Sequence, residues 1–181
     1  MDEMTYDDEE PWPEGADGSG ATLTKRTRLG SSSEPLNWAT SPQLGGTPGR
    51  ANFNGTFVLP QLAFNEVDAA TSAVVRVELH NFGTAPLALA NFTLSVLTTN
   101  GATNFTLPAG TLNPGAFLVL DSTQFGVRPT QNDKLFLLTS NSTVLVDAAT
   151  VKNRLRGRTP EGTGRWAHPS LATFGDRKSV V

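Results

Sequence analysis

The chain has 181 residues, of which 38% are hydrophobic and only 17% charged, with 17 glycines and 12 prolines. A formal net charge of −3 argues against whole-domain binding to nucleic acid, which needs a basic footprint. The absence of cysteine excludes disulfides and thiolate metal sites, and no apolar run approaches the roughly 20 residues of a membrane-spanning helix. Low charge combined with many turn residues and frequent Thr, Asn and Val points to an all-β protein with polar, uncharged outer faces.

Residues 1–52 show almost no apolar periodicity. Only Ala21 to Leu29 reads as a strand, and Tyr6, Trp12 and Trp38 are the large aromatic anchors. Asp17-Gly18 and Gly45-Gly46 mark turns, and Pro42 and Pro48 stop any helix. Such a segment buries too little surface to fold alone. It is expected to lie loosely on the following domain or to project from it.

Strands then follow at short intervals. Phe57 to Val67 is the first, with Pro60 suggesting an edge position or a bulge. Across residues 74–82, Val75, Val77 and Leu79 alternate with Arg76, Glu78 and His80, which predicts one buried face. Asn81, Gly83 and Pro86 break that strand. Phe92, Leu94 and Val96 resume the alternation within 86–97, with Thr93 and Ser95 facing out. Thr99-Asn100-Gly101-Ala102 carries the signature of a type I′ hairpin, and Phe105 and Leu107 lie on the returning strand. The continuous apolar runs Ala116 to Leu120 and Lys134 to Leu138 read as fully buried strands, and Thr143 to Val151 closes the set. The pattern predicts an all-β sandwich of about seven strands and no helix.

The order of these pieces resembles the lamin tail domain family. Phe64-Asn65-Glu66-Val67 is similar to its opening NEV strand, and Val77-Glu78-Leu79-His80-Asn81 to its VELYN strand. Pro86 to Ser95 is similar to VDLSGWTLS, and Phe105 to Leu120 to FTFPAGTVIPPGGYLVL. The resemblance covers residues 53–175 and implies an immunoglobulin-like fold there. Bacterial members commonly close with a TY, PWP, DGSG, NW and TPGAPN series. Thr5-Tyr6, Pro11-Trp12-Pro13, Asp17 to Gly20, Asn37-Trp38 and Thr47 to Asn52 follow it, so residues 1–52 resemble the C-terminal remnant of a preceding domain. Glu161 to Gly164 and Thr173-Phe174-Gly175 repeat that ending in weakened form, as a tandem copy would. Residues 176–181, Asp-Arg-Lys-Ser-Val-Val, read as a translated sequencing adapter rather than domain sequence, so a gene fragment cut at both ends is expected.

Three constellations carry candidate chemistry. Glu66, Glu78 and His80 form the acid–imidazole group of the body, with Glu78 and His80 roughly 7 Å apart along one strand face. Catalysis there would need a concave pocket and a metal a second histidine; His168 lies far along the chain. The plainer reading makes the glutamates structural and His80 a strand surface residue. Asp7, Asp8, Glu9, Glu10 and Asp17 could offer oxygen ligands to calcium, but EF-hand spacing is absent and a solvated loop is favoured. Arg154, Arg156, Arg158 and Arg165 could form a polyanion patch with Trp166 as an aromatic platform; nucleic-acid binding is attributed to eukaryotic lamin tails. Against it, the run reads as a solvated loop and Trp166 as a packing residue like Trp38. The sequons at Asn54, Asn91, Asn104 and Asn141 indicate only a surface rich in Thr and Asn.

The resemblance implies a non-catalytic binding or spacer module of a large bacterial secreted or cell-surface protein, extracellular, with no cofactor. Its partners would be neighbouring domains of the same chain and a surface or extracellular ligand. The alternatives are a polyanion-binding module using the 152–166 arginines, and an accessory domain of a hydrolase or spore-coat kinase-like protein.

Overall fold

A computed structural model describes residues 3–7, 9–51 and 58–176. In chain order the strands are β1 (Leu23–Lys25), β2 (Trp38–Thr40), β3 (Leu62–Val67), β4 (Arg76–Asn81), β5 (Leu87–Ala88), β6 (Phe92–Thr98) and β7 (Gly101–Thr106). They continue with β8 (Thr111–Leu112), β9 (Phe117–Asp121), β10 (Lys134–Thr139), β11 (Leu145–Thr150), β12 (Arg156–Thr159) and β13 (Arg165–Ala167). Helical structure among the described residues is confined to single 3₁₀ turns at Glu14–Ala16, Pro35–Asn37 and Leu89–Asn91.

The strands build two antiparallel sheets that face each other as a sandwich. One has the order β11-β10-β6-β7 and the other β13-β12-β3-β4-β9, while β1-β2 and β5-β8 form small ribbons outside them. The core between the sheets follows the predicted alternation: Val77 and Leu79 of β4, Leu94 and Val96 of β6, and Leu135 and Leu137 of β10 are fully buried. Nine strands in the two main sheets exceed the expected seven. The additional pair, β12 and β13, comes from the basic stretch whose charges alone suggest a solvated loop.

Several expectations need correction at the level of register. Pro60 precedes β3 rather than interrupting it, and β3 is internal, lying between β12 and β4. The irregularity falls instead at Asn65, an extra residue between the Phe64↔Leu79 and Glu66↔Glu78 pairs. The β6–β7 hairpin closes at Thr98↔Gly101, one residue earlier than the type I′ reading. The Thr98 hydroxyl accepts the Asn100 N–H and donates to the Gly101 carbonyl, fixing the turn over Thr99 and Asn100. Gly101 takes a φ of 113°, a conformation that side chains resist. The Ala116–Leu120 run is not fully buried: β9 forms a sheet edge, and of its residues Leu120 alone is buried.

Residues 9–46 are fastened to the outer face of the four-stranded sheet, not loosely laid on it. Gln43 bridges Val144, the Leu44 N–H donates to the Thr143 carbonyl, and the Leu145 N–H donates to the Pro42 carbonyl. Ala21 and Leu44 cover Phe136, Leu138 and Leu145 in a second apolar cluster. Thr93 and Ser95 do point away from the core, yet both are buried. Gly15 sits where a Cβ would come within 2.9 Å of the Leu145 side chain, so only glycine permits that approach. Residues 52–57, part of the predicted Phe57–Val67 strand and the Asn54 sequon, lie outside the described residues, as do Asp2, Asp8 and 177–181.

Candidate functional site

Antiparallel pairing sets Glu66 of β3 directly opposite Glu78 of β4, and His80 follows on the same face. All three point away from the core, yet both glutamates are 0% exposed. Their cover is the C-terminal segment. The Glu66 carboxylate accepts the Thr173 N–H at 2.9 Å and the Thr173 hydroxyl at 2.8 Å. The Glu78 carboxylate accepts the Gly175 N–H and the Asn65 side-chain amide. Between these anchors Phe174 lies over the Arg76 guanidinium, 4.2 Å from ring centroid to Cζ. The Asp68 carboxylate bonds that guanidinium and holds its pKa above the ordinary value.

The histidine of this group is enclosed too. His80 stacks on Phe117 at 4.4 Å, and the turn after β12 covers it. Gly162 approaches so closely, at a φ of 71°, that a Cβ there would stand 3.0 Å from His80 Nδ1. Its N–H donates to the Asn65 side-chain carbonyl. His80 is therefore not a surface residue, and His168 bonds the Leu155 carbonyl elsewhere. Among the described residues, both carboxylates and the imidazole of this face are covered. The face is a clasp for residues 173–175.

The four arginines separate into two roles. Arg154 and Arg165 are exposed. Arg156 is 4% exposed at its side chain and pairs with Glu14 at 2.9 Å, while donating to the Thr150 carbonyl. The other Glu14 oxygen accepts the Thr150 N–H. Arg158 donates to both Asp147 oxygens, each at 3.0 Å, and to the Phe64 carbonyl. The Phe64 N–H in turn donates to Asp147. The Asn65 bulge ends the β3–β12 ladder after Glu66, and these two side chains satisfy the backbone groups it frees. Burial raises the Asp147 pKa, against the pull of Arg158. Both guanidinium groups lie over Trp166, at 4.5 and 4.6 Å. Arg156 and Arg158 are thus committed internally and do not form a patch with Arg154 and Arg165.

The acidic start is dispersed in the same way. Glu9 pairs with Lys152 at 2.6 Å and Asp17 with Lys134 at 2.7 Å. No cluster of three or more His, Asp or Glu side chains suited to a metal occurs among the described residues. Asn91, Asn104 and Asn141 are exposed.

Docking of the N-terminal segment forms a half-open cavity of about 520 Å³ against β11, Arg158 of β12 and Trp166 of β13. Trp12, Trp38 and Trp166 all line it, and they are the three tryptophans of the chain. Trp12 and Trp38 meet at 6.3 Å between ring centroids, and Tyr6 meets Trp12 edge-on at 5.5 Å. The exposed side chains of Glu10 and Arg26 stand on the wall together with Thr40, Pro11, Pro13 and Leu59. The sequence marks Trp12, Trp38 and Trp166 as packing anchors, but they are 26 and 128 residues apart, so nothing local shows that they converge.

No family model matches the chain, and no curated protein matches it either.

Proposed function

We propose that this sandwich is a non-catalytic, lamin-tail-like binding or spacer module of a larger bacterial secreted or cell-surface protein. The observation that supports the reading best is the fate of Glu66, Glu78 and His80. A catalytic acid or base must reach substrate or a bridging water. Here both carboxylates accept hydrogen bonds from residues 173–175, and the imidazole is stacked and covered. The polyanion alternative retains only Arg154 and Arg165 as exposed members of its patch. Arg154 shares a polar cleft with Glu10, whose charge opposes an anion, and the Lys152 and Arg156 charges there are paired with Glu9 and Glu14.

Turnover assays test the non-catalytic claim. The purified protein is expected to leave chromogenic esters, phosphoesters, glycosides and peptides untouched. Turnover lost in Glu78→Gln or His80→Ala would overturn it. Sequencing the gene on either side tests the wider setting: a secretion signal, further sandwich copies or a catalytic neighbour are expected there.

A further inference from the structure

We propose that the tryptophan-lined cavity is a binding site for a neutral sugar, one or two rings in size. The inference rests on the module reading above and names the ligand class that such a module would hold. A volume of about 520 Å³ falls within the roughly 300–1,000 Å³ typical of small-molecule sites. The lining is of two kinds. Proline faces and the half-buried ring of Trp38 offer apolar surface, while Trp12 is buried against Tyr6 and Trp38, and Trp166 carries two guanidinium groups. A sugar ring presents a matching array of C–H bonds to Trp38 and the prolines. Around that surface stand a carboxylate, a guanidinium and a hydroxyl, from Glu10, Arg26 and Thr40. Sugar hydroxyls donate and accept at once, so they need acceptors and donors side by side on the wall.

The charges select against other ligands. Glu14 and Asp147 on the wall are already paired with Arg156 and Arg158. That leaves Glu10 and Arg26, one charge of each sign, with no ion pair among the described residues. A cationic guest would meet Arg26 and an anionic guest would meet Glu10, whereas a neutral polyol bonds to both. The guanidinium groups of Arg156 and Arg158 over Trp166 hold that ring in one orientation before any ligand arrives.

The test titrates the full chain with glucose, galactose, N-acetylglucosamine, cellobiose and diacetylchitobiose. Intrinsic tryptophan emission and calorimetry report binding, and reducing-end release reports cleavage. At least one sugar is expected to bind saturably with a change in emission. Glu10→Gln and Arg26→Gln, both at exposed positions, are expected to weaken it about tenfold or more without moving the thermal midpoint. No binding by any of the five, binding indifferent to both substitutions, or tighter binding of free arginine or glucuronate would each overturn the proposal. Sugar binding accompanied by cleavage would instead keep the site and overturn the non-catalytic reading. Absence of both binding and turnover would overturn the site and keep that reading.

Discussion

Glu66 and Glu78 are opposite partners on neighbouring strands, and each spends its carboxylate on the same three-residue stretch near the C-terminus. Like charges directly opposed are unfavourable on an open sheet. Here donors from Thr173, Gly175 and Asn65 compensate them, and Arg76 stands nearby.

The two glutamates are expected to respond differently to amidation. In Glu66→Gln the new NH₂ can donate to the Thr173 hydroxyl, while the remaining oxygen accepts the Thr173 N–H. Both bonds persist without their charge assistance while repulsion from Glu78 is relieved, so the net change should be about 1 kcal/mol or less. In Glu78→Gln the NH₂ must face either the Gly175 N–H or the Asn65 amide, whose orientation Gly162 fixes. It should cost about 1–3 kcal/mol. Urea midpoints of both variants check the asymmetry, and equal losses would contradict it.

The Glu14–Arg156 pair is buried on both sides, at 8% and 4% side-chain exposure. Removing one partner strands the other charge, so Glu14→Gln should destabilise the protein by about 3 kcal/mol or more. The double variant Glu14→Met with Arg156→Met should lose less than the two single changes together, with a coupling of about 1–3 kcal/mol. A double-mutant cycle in urea measures it; strict additivity would mean the pair does not join the segment to the sheet.

Asn81 is fully buried, donating to the carbonyls of Ala85 and Leu112 and accepting the Gly83 N–H. It pins two loops at one end of the sandwich. Asn81→Asp removes both donations and sets a carboxylate against two carbonyls. A loss of about 3 kcal/mol or more is expected in thermal or urea unfolding.

Asp147 predicts a pH effect. Its folded pKa lies above the ordinary 3.8, chiefly through burial. Such a group contributes its stability in full below the unfolded value and loses it as pH rises through the folded value. Wild type should therefore lose stability relative to Asp147→Asn as pH is raised from below 3.8 toward neutrality. Urea midpoints of both proteins across that range test this, and parallel curves would contradict it.

The sandwich was legible in the sequence because period-two alternation reports directly which face is buried. Burial of the outer faces was not. Thr93, Ser95, Glu78 and His80 look like solvent-facing residues, and distant segments cover them. One clue was present: Lys134 to Leu138 is apolar at every position after the lysine, so its second face needed a cover, and Ala21 and Leu44 supply it. Ala116 to Leu120 gives the same local signal but lies at an edge, because strand order is set by long-range pairing. Convergence of the three tryptophans depends on the same docking and had no local trace.

That docking also builds the cavity, so the most direct measurement is amide hydrogen exchange of the native protein, residue by residue. The Thr150 N–H bonds the Glu14 carboxylate, and the Leu145 N–H bonds the Pro42 carbonyl. Both amides, with Leu44, are expected to exchange only on global unfolding, at the free energy that governs β10. Rapid exchange of all three while β10 stays protected would contradict the account: the N-terminal segment would then open by itself, and the cavity with it.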